Sequence, residues 1–161
     1  LFRDFPNFLR ETAFLDRFSG LLPGWDLPRI NKDTPSVCLG LKGDIFGEIM
    51  HYLRSDISYR DYVKLNMHVE NCDDMRDSKA IEAGATGLLK ILFPNQEVSE
   101  EEFYHYCVNP VIEFRQRVRD ELCKLDREYN PVTMRSKYPD AFQNNHRPAT
   151  YIEPDGFNSI F

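Results

Sequence analysis

Nowhere do the 161 residues contain G-x-x-x-x-G-K-[ST], the glycine-rich turn whose backbone amides and lysine hold phosphates. Nor does any apolar strand end in paired acids that would hold Mg²⁺, and no Ser and Lys can be placed as a protease dyad. No apolar run reaches the roughly 20 residues that span a bilayer, and no leader pattern opens the chain. A membrane role is therefore not expected, and a cytoplasmic setting is. Cysteine is scarce: Cys38, Cys72, Cys107 and Cys123 show no C-x-x-C spacing, so reduced thiols are expected rather than a disulfide framework. The four histidines (His51, His68, His105 and His146) are scattered. His105 and Cys107 stand two apart, on different helix faces, and no third group orients them. Neither a metal site nor a Cys-His nucleophile is expected. Excess positive charge is also missing: 20 Lys and Arg against 26 Asp and Glu leave a net charge of −6. A domain that binds nucleic acid by itself is usually basic.

What the chain does have is aromatic bulk and helical periodicity. Twelve Phe and eight Tyr supply a hydrophobic core. Pro6 predicts a first helix running to about Gly20, with Phe5, Phe8, Leu9 and Ala13 on one face. A second is expected from about Lys42 to Arg54, on the spacing of Ile45, Phe46, Ile49, Met50 and Leu53. Ser58 starts a third of about ten residues, with Tyr59, Tyr62 and Val63 inward. Asp73 or Asp74 caps a fourth from Met75 to about Phe93, whose Gly84 and Gly87 each cost about 1 kcal/mol against Ala and so suggest close backbone packing. Ser99-Glu-Glu-Glu102 is a capping box. It opens a long fifth helix with a stripe of Phe103, Cys107, Val111, Phe114, Val118, Leu122, Leu125 and Tyr129, kinked or split by Pro110. Its charges, Arg115 and Arg119 among them, alternate in sign and are expected on a solvated face. Residues 131–161 read as loops and turns with one or two short strands. The fold class expected is mainly α: a small helical bundle with an irregular C-terminal tail. Leu1 in place of an initiator Met suggests a piece of a longer chain.

One stretch is denser in signals than the rest. Residues 11–30 hold Asp16-Arg17 at the end of an amphipathic segment, a Pro23-Gly24-Trp25 turn, and a Leu27-Pro28-Arg29 exit. A charged pair beside a rigid turn can aim a guanidinium, or it can be a surface ion pair beside a buried Trp25.

Thr12-Ala13, Asp16-Arg17, Pro23-Gly24-Trp25 and Pro28 resemble a block of the Lon-like AAA+ ATPases of BREX phage-defence systems (BrxL type, labelled ATP-dependent Lon-type proteases). That block runs Thr-Ala-x-x-Asp-Arg-x-x-x-x-x-Pro-Gly-Trp-x-x-Pro. A second block, Arg76-Asp77 followed by Gly87-Leu-Leu-Lys-Ile-Leu-Phe-Pro94, is similar to the same family's Arg-Asp and Gly-Leu-x-Lys-Leu-Leu-x-Pro. The resemblance covers about residues 1–127.

The resemblance implies that residues 1–30 end an ATPase core, residues 31–130 form an AAA+ lid-like helical bundle, and residues 131–161 are a connector or tail. It implies Arg17 as an arginine finger that Asp16 holds in place, and Arg76 as a sensor-2 arginine reading the nucleotide. For Arg76, the residues taken without the resemblance favour an exposed arginine paired with Asp73 or Asp77. The whole protein is implied to be a homo-oligomeric ring dependent on ATP and Mg²⁺, acting on DNA or protein. With its phosphate loop upstream and its Lon-like domain downstream, this chain is expected to bind neither cofactor and to hydrolyse nothing alone. From a different class, a stand-alone helical interaction module with no nucleotide dependence also fits the residues.

Overall fold

The computed structural model describes residues 1–32 and 40–138. Cys38, His146 and nearly all of the predicted tail lie outside the described residues. The fold is mainly helical. In chain order, α1 spans Thr12–Leu15, α2 Gly43–Arg54, α3 Ser58–Asn66 and α4 Met75–Leu92. After these come α5 at Glu100–Glu102, a π-helical stretch at Phe103–Val108 and α6 at Asn109–Cys123. A two-stranded antiparallel ribbon joins β1 (Val69–Glu70) to β2 (Arg135–Ser136), with Val69 opposite Ser136. One of the short strands expected after residue 131 is thus present.

The main core is built by α3, α4, the π-helical stretch and the start of α6. Tyr59, Val63, Ile81, Ala85, Leu89, Phe103, Tyr104, Cys107, Val108 and Val111 are buried together, with Leu53 and Met134 at its margins. The buried tyrosine hydroxyls inside it find partners. The Tyr104 hydroxyl donates to the Asn66 carbonyl and accepts from the His68 amide, both at 2.9 Å. A second, smaller core gathers Phe2, Leu15, Val118 and Leu122, flanked by Phe5, Phe18, Leu21, Leu125 and Tyr129. This seats the N-terminal segment on the far half of α6.

Four features follow the sequence closely. Asp74 caps α4, its carboxylate accepting from the Arg76 amide at 2.7 Å. Ser99 and Glu102 form the full capping box. Beside Gly84, a β-carbon would lie 2.5 Å from Val111 Cγ1, so its helix does pack there at backbone distance. Pro110 comes directly after the π-helical stretch, in the first turn of α6. Proline lacks an amide donor and its ring crowds the carbonyl four residues back. A wider turn just before it accommodates both.

Other expectations are corrected. The first helix is not continuous to Gly20: 3₁₀ turns at Phe2–Asp4 and Asn7–Leu9 precede the single turn of α1, which ends at Leu15. The third helix begins at Ser58, but Ser58 does not cap it: Ile57 holds the N-cap position without a side-chain cap, and the Asp56 carboxylate accepts from the Ser58 amide at 2.9 Å. Nothing lies within 4 Å of a β-carbon at Gly87, so only Gly84 marks close packing. The predicted inner face of α2 is half open, with Ile45, Phe46 and Ile49 exposed at 48%, 43% and 40%. Trp25 is 78% exposed, not buried.

Candidate functional site

Three stretches far apart in sequence bring charged groups to one point between the two cores. Asp16 closes α1, Arg76 and Asp77 lie in the first turn of α4 behind Asp74, and Arg115 and Arg119 project from α6. Arg115 is completely buried. Its Nε donates to Asp77 at 2.6 Å and its Nη2 to Asp16 Oδ1 at 2.6 Å. Its Nη1 donates to the backbone carbonyls of Asp16 at 2.9 Å and Phe18 at 2.5 Å. Arg119 adds bonds to Asp77 Oδ2 at 3.0 Å and Asp74 Oδ2 at 3.3 Å, and stacks over the Tyr129 ring at 5.5 Å.

Arginine suits this position, because its planar fork serves four acceptors at once and never loses its charge. A buried guanidinium is tolerable only when so fully paired. The two carboxylates at the centre, Asp16 and Asp77, are themselves buried. Burial pushes the Asp16 carboxyl up, but the hydrogen bonds and charges of Arg76 and Arg115 outweigh it and hold the group below its ordinary value.

The sequence-predicted site residues occupy different depths of this cluster. Asp16 is its hinge point: Oδ1 takes Arg115, and Oδ2 takes the guanidinium of Arg76. Arg76 keeps a side chain 48% exposed, so it sits at the mouth of the cluster with one edge toward solvent. Its carboxylate partner in the structure is thus Asp16 from another segment, rather than its neighbours Asp73 or Asp77. Arg17 is exposed, and its Nη1 donates to the Ala13 carbonyl of its own helical turn. Asp16 and Arg17 are adjacent, yet the Asp16 carboxylate takes Arg76 and Arg115 from distant segments. Beyond Arg17 the chain stays pressed on α6. The Leu21 amide donates to the Phe114 carbonyl at 3.0 Å, and a β-carbon at Gly20 would sit 2.7 Å from Phe114 Cβ.

Arg115, and with it Arg119, corrects the expectation that the charges of the long helix line a solvated face. The reason lies in the turn count. Three α-helical turns of about 3.6 residues carry Phe103 to residue 114. The π-helical stretch takes one extra residue, so the inward position falls on Arg115, between buried Val111 and Val118. A signal was available: Asp77 precedes Ile81 by four on the buried stripe of α4, which leaves an acid facing inward that needs a cation.

Among the described residues, no group of three or more His, Cys, Asp or Glu is arranged to hold a metal ion. No helix among them is long and apolar enough to cross a membrane. Cys72, Cys107 and Cys123 are free thiols, and burial pushes the Cys107 thiol up to about 12.

Comparison with known proteins gives the cluster a setting. The chain is 32% identical over 125 residues to the Lon-like protease BrxL of Escherichia coli O9:H4 (strain HS), matching 78% of this chain and 18% of that protein. It is 29% identical over 130 residues to the Lon-like protease BrxL of Bacillus cereus (strain H3081.97), again over 78% of the chain and 18% of the relative. The chain thus corresponds to under a fifth of the length of these relatives. Residues 1–135, which include every member of the ionic cluster, match the family described as Lon-like protease BrxL-like, ATPase domain, and the chain belongs to that family.

Proposed function

We propose that this chain is the lid-bearing part of an AAA+ ATPase module, in which Arg17 and Arg76 couple nucleotide state to movement between subunits. The observation that carries the reading is Arg76 at the mouth of the cluster. It is half exposed and bonded to a carboxylate that already has a buried partner in Arg115. A phosphate, like a carboxylate, can take a guanidinium in charge-assisted, bidentate hydrogen bonds. Arg76 can therefore leave Asp16 for an incoming phosphate without leaving Asp16 unpaired. Arg17, exposed next to Asp16, would give up its bond to the Ala13 carbonyl to reach across a subunit boundary. Arginines in that role stabilise charge on the transferring phosphoryl group and are worth about 10³ to 10⁵ in rate.

On this reading each guanidinium would serve a different nucleotide, Arg76 that of its own subunit and Arg17 that of a neighbour, while the phosphate-cradling loop and a Mg²⁺ site would come from outside these residues. Bound Mg-ATP would supply the phosphoryl group and its counter-charge. The residues of this chain would bind its outer oxygens and transmit its presence to α4 and α6. On this reading residues 1–30 end the core, 31–130 are the lid and 131–161 connect onward. A homo-oligomeric ring in the cytoplasm, acting on DNA or protein in phage defence, extends the same reading to the whole protein.

The test is ATP turnover and ATP binding in the full-length protein with Arg17→Ala and Arg76→Ala. Arg17→Ala is expected to lose turnover by at least about 10³-fold with ATP still bound. Arg76→Ala is expected to lose turnover while its thermal melt stays near the parent's. Full turnover in both would favour a helical interaction module. The exposed apolar face of α2, with Tyr52 81% exposed beside Phe46 and Ile49, is the observation on that side.

A further inference from the structure

Arg115 does more than fill a buried site, because of which atoms it holds. Its Nη1 binds the carbonyls of Asp16 and Phe18, the residues on either side of Arg17. Its Nη2 holds the Asp16 side chain, so one guanidinium clamps three acceptors within a three-residue arc. The clamp is itself anchored. Asp77 takes Nε from α4, and Arg119 braces Asp77 from one turn further along α6. The arc cannot relax on its far side either, since Gly20 and Leu21 are pressed on Phe114. The backbone that presents Arg17 is therefore defined from both sides by α6, while the Arg17 side chain is exposed, its Nη1 donating to the Ala13 carbonyl.

We infer that Arg115 is the positioning residue for Arg17: it sets the direction in which the Arg17 guanidinium leaves the surface. The inference rests on the reading of Arg17 as the residue offered to a neighbour's nucleotide. Arg115 itself touches no nucleotide. Its effect on rate passes wholly through Arg17, and misplacement of a reacting group by about 1 Å costs on the order of 10²-fold.

This dependence on Arg17 is what the experiment reads. ATP turnover is measured in the full-length protein for Arg115→Lys, for Arg17→Ala and for the pair combined. A lysine keeps the charge but cannot span four acceptors. Arg115→Lys is expected to lower kcat by about 10- to 100-fold, with KM for ATP within about twofold of the parent. In the Arg17→Ala background, the same change is expected to lower the residual rate by less than about twofold, because there is no guanidinium left to aim. Multiplying losses in the double variant would overturn the positioning role and leave the Arg17 reading intact. Unchanged kcat in Arg115→Lys would overturn it too. Full turnover in Arg17→Ala would remove the underlying reading and this inference together. Should Arg115→Lys melt below the assay temperature, Asp77→Asn replaces it, keeping an acceptor for Nε while removing one anchoring charge. Its expected loss is about three- to tenfold, and again must vanish without Arg17; a loss that persists there overturns the inference.

Discussion

Asp16 is the residue on which the most depends, and its behaviour with pH follows from its partners. Two guanidiniums outweigh the burial penalty and depress its pKa below the ordinary 3.8. A carboxyl depressed in the folded state contributes stability that is complete above its unfolded pKa and is lost as pH falls through the folded one. The expected result is a melting temperature that holds steady above about pH 5 and drops steeply below about pH 4. Asp16→Asn should be less stable than the parent at neutral pH and converge on it in acid. Parallel melting curves for the two proteins across that range would contradict the assignment. The motif Asp16-Arg17 was visible in the sequence as a pair, but the partners of its acid were not. Arg115 lies 99 positions away and Arg76 lies 60, and no local pattern connects them.

At the scale of the element, α4 shows how one residue type can mean two things. Gly84 and Gly87 both weaken the helix in isolation, and the sequence offers no way to tell them apart. The structure does, because only Gly84 faces α6. A β-carbon there would drive into the Val111 side chain at 2.5 and 3.1 Å, whereas Gly87 faces open space. Gly84→Ala is expected to destabilise by about 1–3 kcal/mol as an overpacked contact. Gly87→Ala is expected to stabilise by up to about 1 kcal/mol, the ordinary helix propensity gain. Chemical denaturation of the two variants separates them by sign. Helix positions were legible where caps and periodicity agree, as at Asp74 and at Ser99 with Glu102. They were illegible where the turn length changes, since a period of 3.6 assumed throughout selects Phe114 over Arg115.

For the whole molecule, the arrangement is two cores of unequal size joined across a polar seam. The larger is closed by α3, α4 and the π-helical stretch; the smaller depends on residues 2–18 lying against α6. Apolar burial is less extensive in the second, and the ionic cluster is what connects it to α4. Hydrogen exchange is expected to show amides of residues 2–21 opening well before those of α4 under native conditions. In Asp77→Asn that gap should widen. Uniform protection across both would mean that the seam unfolds as one unit with the bundle. The mainly helical class, the caps of α4 and α5 and the two sequence blocks were readable from the chain. The seam was not, because it is made where segments distant in sequence meet.

That distance has a consequence in time. Asp16 must wait for Arg115, and Leu15 for Val118 and Leu122, about 100 residues later in the chain. At a synthesis rate of about 5–20 residues per second, the N-terminal segment spends roughly 5–20 seconds made but unseated. Throughout that interval Phe2, Phe5, Leu15 and Phe18 have no apolar partner from α6, and Asp16 has no guanidinium from α6. The stretch that ends by presenting Arg17 is thus among the last to find its place, and its assembly is the step most open to capture by a chaperone or a neighbouring chain.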